Sequence, residues 1–139
     1  MSGVNEEIEI LKGIKESILG VKRAFLEIPD TDEEFKEDVK QIIILLDKIY
    51  AQLFDNSEGA SKFRYYGKYY IPTITKIINS HIHFINIPAP TEKMKETDES
   101  CKTTIKKLIE HFEKKYNSFY ENESIDLNAD IQLLLGSIK

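Results

Sequence analysis

The segment EEFKEDVKQIIILLDKIYAQLFD, residues 33–55, decides the fold class. Its apolar side chains recur at steps of four and three residues, which places them on one face of an α-helix: Phe35, Val39, Ile42, Leu46, Ile49 and Leu53. Ile43, Ile44 and Leu45 extend the apolar surface around one full turn, so we expect more than one neighbouring helix to cover it. Thr31 and Glu34 precede the stripe with the spacing of a capping box, which predicts where this helix begins.

The same spacing recurs on both sides of this segment. It predicts a first helix that ends near Ile28, before Pro29, and a third helix over residues 63–84. Pro72 interrupts the third helix because proline lacks an N–H group and crowds the preceding turn, so we expect a kink or break over residues 69–73. A fourth helix follows Thr91 as N-cap, and a short last helix follows Asp126 as N-cap.

Strict seven-residue spacing indicates shallow crossing angles, and short connections make consecutive helices antiparallel. We therefore predict an all-α fold with a single domain over residues 1–139. It is an elongated antiparallel three-to-four-helix bundle with a Pro-kinked third helix and a short C-terminal helix that closes one end. Long apolar stripes also permit a bundle that is completed by a second chain, so a homo-oligomer stays open.

Composition excludes several classes of protein. The 139 residues carry 24 acidic and 19 basic side chains, and a net charge of −5 argues against binding of nucleic acid. The longest apolar run, Ile42–Leu46, is too short to span a membrane, and the start MSGVNEEIEI does not have the pattern of a signal peptide. A single cysteine, Cys101, excludes an internal disulfide and fits a cytoplasmic protein.

Motifs that carry chemistry are missing from the sequence. There is no phosphate-binding glycine loop and no nucleophile elbow. His81 and His83 are two positions apart and point to different sides of a helix, so we expect core-edge or solvated histidines. Asp126, Asn128 and Asp130 begin like a calcium loop, but the glycine and glutamate that such a loop needs are absent. We therefore assign no catalytic residue, no metal ligand and no cofactor.

The stretch KFRYYGKYYIPT, residues 62–73, is the most informative about binding. On a helical wheel, one face holds the core candidates Phe63, Tyr66, Tyr70 and Ile74. The outward side holds five candidate binding residues: Arg64, Tyr65, Lys68, Tyr69 and Lys76. The phenols and cations suit a phosphate-like anion, and tyrosine and arginine also suit a protein interface. A third interpretation is that another helix of the bundle covers Tyr65 and Tyr69.

This stretch also resembles a known family. Residues 63–78 are similar to the F-x-x-Y-Y-L-P-T-x-x-K-L-L block of the bromo-chloro-indolyl phosphate hydrolysis (XpaC-like) family, with Ile71 where leucine is usual. The spacing of Asp126, Asp130, Ile131 and Leu134 is similar to the D-x-x-x-D-I-x-x-L pattern of the same family. The resemblance covers roughly residues 33–138.

The resemblance implies a function only in outline, because the family name records a phosphatase-indicator phenotype and no catalytic residues carry over. It implies a non-enzymatic helical interaction or scaffold module in a toxic-anion or envelope stress response. The expected partner is a protein, such as the toxic-anion-resistance proteins beside which members occur. The alternative is a phosphate-ester hydrolase acting on indolyl phosphate, or its anion-binding accessory, centred on Arg64, Lys68 and the tyrosines. Many members carry N-terminal membrane segments that this sequence lacks, which leaves membrane association open for a longer form.

Overall fold

A computed structural model describes residues 2–138 and shows four α-helices, with no strand in that range. The helices are α1 (Ser2–Leu26), α2 (Glu33–Asp55), α3 (Ile71–Ile85) and α4 (Glu92–Ser137). A 3₁₀ segment (Ser57–Phe63) and a π-helical turn (Tyr66–Tyr70) connect α2 to α3. The predicted all-α helical bundle is therefore confirmed. Within the described range, no helix is long and apolar enough to cross a membrane.

The four helices form a bundle in which consecutive helices run antiparallel. α1 packs against α2 and α3, and α4 packs against the same two helices, so α1 and α4 occupy opposite corners. Side-chain pairs show the direction of α4 relative to α3: His81 meets Asp98 near one end, and Tyr66 meets His111 near the other.

Most of the core comes from the predicted stripes. Each helix contributes apolar side chains that are almost fully removed from water, among them Ile14, Val21, Val39, Ile42, Ile74, Ile78, Ile105 and Phe112. Burial of one such side chain contributes roughly 1.5–3 kcal/mol. The widened turn of α2 is covered only in part, because Leu45 is buried and Ile44 stays exposed.

The short C-terminal helix predicted from Asp126 is wrong, because α4 is one continuous helix of 46 residues and Asp126 lies inside it. The segment 121–124 contains neither glycine nor proline, so nothing ends the helix there. Every described residue from Tyr120 onward is exposed. Residues 121–138, which are the C-terminal part of α4 with its C-cap and are called here the distal half of α4, therefore project beyond the bundle by about 27 Å.

The irregularity predicted near Pro72 is a π turn and not a break. The Ile71 N–H group donates to the carbonyl oxygen of Tyr66, five residues earlier. The next donor in this register would be Pro72, which has no N–H group, and the carbonyl of Gly67 instead accepts a hydrogen bond from Ser17 Oγ at 2.7 Å. Pro72 then lies in the first turn of α3, where proline is tolerated.

The π turn corrects the predicted core register. It adds one residue to the turn, so the position expected for Tyr70 in the core is taken by Ile71, which is fully buried. Tyr70 is 56% exposed. The wheel drawn from a regular α-helix is right for Phe63 and Tyr66 before the turn.

The capping box predicted for α2 is also wrong. The N-cap residue is Asp32 and not Thr31, and its side chain makes no capping hydrogen bond. The Asp32 carboxylate instead lies 2.5 Å from Nε2 of His81 on α3, and Glu34 accepts from Lys106 on α4 at 2.8 Å. The start of α2 is therefore tied to two other helices by its acidic side chains.

Candidate functional site

A close helix crossing fixes the position of the predicted binding stretch. A Cβ atom on Gly67 would lie 2.9 Å from the backbone nitrogen of Ile14 and 3.0 Å from the carbonyl carbon of Gly13. Ser17 Oγ also lies 2.9 Å from the Gly13 carbonyl oxygen, in addition to its bond to Gly67. The π turn thus rests directly on the backbone of α1, and only glycine fits at position 67.

Tyr65 and Tyr69 stack on each other on the outside of this crossing. Their ring centroids are 5.6 Å apart with an interplanar angle of 25°. They are 58% and 59% exposed, so the interpretation that another helix of the bundle covers them is wrong. The pair presents a large, conformationally restricted aromatic surface to solvent.

Arg64 and Lys68 lie on the side of the turn that faces α1. They line a cleft of about 380 Å³ together with Glu6 and Glu9. The Arg64 guanidinium forms an ion pair with Glu6. Two carboxylates therefore share the cleft with the two cations and compete with any anionic ligand for them.

Lys76 lies apart from that cleft. It lines a shallow depression on the outer side of α3 with Asn79 and His83. The five predicted residues therefore do not converge on a single point. We call them together the aromatic–basic face: Arg64, Tyr65, Lys68, Tyr69 and Lys76.

An apolar groove that the sequence did not predict borders this face. It has a volume of about 610 Å³ and lies between the π turn and α3 on one side and α4 on the other. Its walls are mainly aromatic and aliphatic: Tyr66, Tyr69, Tyr70, Thr73, Ile74, Ile77, Thr104, Leu108, His111 and Phe112. Tyr69 belongs to both the groove and the aromatic–basic face. The shift that places Tyr70 in this wall comes from the π turn, which periodicity alone does not reveal.

One polar contact lies inside the groove. The hydroxyl of Tyr66 is 3.3 Å from Nε2 of His111, within hydrogen-bond distance. Burial, and to a lesser degree the neighbouring Tyr70, raises the pKa of Tyr66. The phenol therefore stays neutral at physiological pH and serves as a hydrogen-bonding group rather than as a base.

Lysines occupy the helix positions next to the groove residues. Residues three or four positions apart are neighbours on a helix surface. Every Asp, Glu, Lys or Arg at that spacing from a groove residue is a lysine: Lys62, Lys76, Lys107, Lys114 and Lys115. Lys115 Nζ, for example, lies 5.1 Å from the centre of the Phe63 ring. We call these five lysines the lysine rim. Lys76 is at its outer edge on α3, and Lys114 also lies 4.0 Å from the Glu110 carboxylate.

His81 has a structural environment and not a catalytic one. Its side chain is 2% exposed and stacks on Phe35 with ring centroids 3.8 Å apart. Its Nε2 and Nδ1 atoms each lie 2.5 Å from a carboxylate oxygen, of Asp32 and Asp98 respectively. The ring is therefore held between two carboxylates that come from different elements. It ties the start of α2 to α3 and α4.

No reactive centre emerges from the part of the chain that the structure describes. Within residues 2–138, no group of three or more His, Cys, Asp or Glu side chains is arranged to hold a metal ion. Cys101 is buried, and burial together with the nearby Asp98 raises the pKa of its thiol. A protonated, enclosed thiol is a poor nucleophile.

Comparisons with known proteins do not identify a relative of this chain. No protein-family model matches the chain, and no curated protein or solved structure matches it. The resemblance to the XpaC-like family stays a prediction.

Proposed function

We propose that the protein is a non-enzymatic interaction module of the XpaC-like type, which binds a protein partner through the aromatic–basic face. The observation that carries this proposal is the exposed, stacked pair Tyr65 and Tyr69. Tyrosine is enriched at the energetic centres of protein interfaces, and a rigid aromatic pair loses little conformational entropy on binding. The backbone crossing at Gly67 holds the pair in place.

The surroundings of the pair favour a partner of defined chemistry. The neighbouring groove offers apolar walls, and the charged residues three or four positions from its lining residues are all lysines. Such a surface suits an amphipathic helix with acidic flanks, because the apolar side fills the groove and the carboxylates meet the lysines. The family resemblance extends the proposal to a toxic-anion-resistance protein as partner and to a role in toxic-anion or envelope stress.

The alternative activity, hydrolysis of a phosphate ester, depends on the cleft of Arg64 and Lys68. An enzyme of this kind needs a positioned nucleophile or metal in addition to cations that bind phosphate. The Glu6 carboxylate already engages Arg64 in this cleft. The geometry therefore supports the interaction module better.

Affinity capture with the folded chain tests the proposal. A partner captured by the wild-type protein is identified by mass spectrometry, purified and titrated against variants. We expect Tyr65→Ala combined with Tyr69→Ala to weaken binding at least tenfold, as is typical for loss of central interface tyrosines. Phe54→Ala is the matched control, because Phe54 is an equally exposed aromatic residue outside the face.

Two results count against the proposal. One is a partner whose affinity is the same for the double variant and the wild type, with circular dichroism showing that both are folded. The other is turnover of an indolyl phosphate by the purified chain, with or without divalent metal ions, that disappears in Arg64→Ala. The second result would support the hydrolase instead.

A further inference from the structure

The distal half of α4 has an apolar stripe with no neighbour in the structure. Its most exposed large side chains are Leu133 at 74%, Ile138 at 69% and Ile125 at 66%. The stripe proper follows helical steps of four, three and four residues: Leu127, Ile131, Leu134 and Ile138. Exposed apolar surface of this extent on a helix is typical of a binding surface.

The same segment is acidic. Residues 121–138 contain Glu121, Glu123, Asp126 and Asp130, and neither lysine nor arginine. Glu123, Asp126 and Asp130 are spaced by three and four positions, so they form a row beside the apolar stripe. The distal half therefore has the amphipathic and acidic character that suits the groove described above.

The groove is long enough for most of the stripe. The whole stripe from Leu127 to Ile138 is about 16 Å long at ~1.5 Å per residue, and its first three side chains, Leu127 to Leu134, span about 10 Å. The groove wall that α4 supplies, from Thr104 to Phe112, is about 12 Å long on the same basis. The lysine rim and the acidic row carry opposite charges, which favours this pairing.

The groove of the same chain is out of reach. α4 is a single uninterrupted helix, so its distal half points away from the groove that residues 104–112 of that helix line. Pairing of two distal halves with each other would bring the carboxylates of both copies together, which is unfavourable. The occupant that satisfies charge and geometry is therefore the distal half of another copy.

We propose that the distal half of α4 of one copy docks in the apolar groove of a second copy. The inference rests on the proposed function, because the groove shares Tyr69 with the aromatic–basic face. It identifies the partner of that surface as a second copy of the chain. A reciprocal exchange closes a two-fold dimer, and a one-way exchange builds a chain of copies.

The first measurement is the mass of the full chain by light scattering across micromolar concentrations. We expect a concentration-dependent mass above that of one chain, which decreases with rising salt because the rim and the acidic row are screened. Ile131→Ser combined with Leu134→Ser should weaken self-association at least tenfold. Leu133→Ser is the matched control, since it removes a more exposed leucine that lies off the stripe.

A second variant acts on the groove. Tyr70→Glu places a carboxylate in the groove wall at a position that is 56% exposed, so the bundle should stay folded while the acidic helix is repelled. The decisive experiment mixes this variant with the Ile131→Ser, Leu134→Ser variant. The first keeps an intact distal half and the second keeps an intact groove, so the mixture should associate although neither variant does so alone.

Several results would overturn the proposed docking of the distal half in the groove of a second copy. A mass of one chain at every concentration, or self-association that both variants leave unchanged, overturns the inference. Failure of the mixed variants to associate also overturns it. So does a Tyr70→Glu variant that self-associates like the wild type, since that is the result expected when distal halves pair with each other. A monomeric chain that still binds a partner through Tyr65 and Tyr69 overturns this inference and leaves the proposed function standing.

Discussion

Replacement of Gly67 by alanine tests the crossing on which the candidate site is built. The added Cβ would lie 2.9 Å from the backbone nitrogen of Ile14, whereas ordinary contact begins at 3.4 Å. The two nearest atoms, the Ile14 nitrogen and the Gly13 carbonyl carbon, belong to the backbone, so no rotamer change can move them. The π turn and α1 must therefore separate by about half an ångström. Separation also weakens the bond from Ser17 to the Gly67 carbonyl.

The size of the effect follows from these two losses. Overpacking of this kind costs about 1–3 kcal/mol, and a weakened hydrogen bond costs about 0.5–1.5 kcal/mol. The better helix propensity of alanine returns up to about 1 kcal/mol. We therefore expect Gly67→Ala to lower the free energy of unfolding by about 0.5–4.5 kcal/mol, with a central value of about 2 kcal/mol, measured by urea denaturation followed by circular dichroism.

The chain offers a matched control in the partner glycine. A Cβ on Gly13 meets nothing within 4 Å, so Gly13→Ala should stabilise α1 by about 0.5–1 kcal/mol. Helix propensity alone would make both substitutions stabilising, so changes of opposite sign in the free energy of unfolding would indicate the steric contact at Gly67. A Gly67→Ala variant that is as stable as the wild type would refute the close backbone approach, and with it the rigid placement of the tyrosine pair.

Two further predictions concern polar groups in the core. His81→Leu keeps an apolar group against Phe35 but leaves two carboxylates without donors, so we expect a loss of about 3–5 kcal/mol in urea denaturation. The exposed His83→Leu should change stability by less than about 0.5 kcal/mol. The raised pKa of Tyr66 means that the unfolded chain ionises this phenol first, from its ordinary value of 10.0 upward. The free energy of unfolding should therefore fall as pH rises above 10, and Tyr66→Phe should flatten that fall; an unchanged slope would contradict the burial of this hydroxyl.

Hydrophobic periodicity was sufficient to predict the fold class and most of the core. The stripe of residues 33–55 is buried almost as expected, because seven-residue spacing leaves one favourable way to pack long helices together. The end of the fourth helix was not predictable from the same rule. The segment 121–124 looks like a polar link, but polar residues do not end a helix in the absence of glycine or proline.

The candidate site was predicted in its residues but not in its geometry. Tyr65 and Tyr69 were expected as an i, i+4 pair and do stack, but Tyr70 was expected in the core. A wheel with a fixed angle per residue cannot anticipate a π turn, which here depends on a proline, a glycine and a serine from another helix. The Asp32–His81–Asp98 cluster was missed for a similar reason, since its three members come from three separate elements.

Because α4 is one continuous helix, its first part lies in the bundle and its last part lies in solvent, and the two parts differ in local stability. Residues up to Phe119 share the stability of the bundle, because their opening requires apolar contacts with α2 and α3 to be broken. The turns beyond are held by backbone hydrogen bonds alone, so they open and close without disturbing the rest. Amide protons along this rod should therefore exchange with solvent in two populations, slow before Tyr120 and fast after it, until something covers the exposed turns.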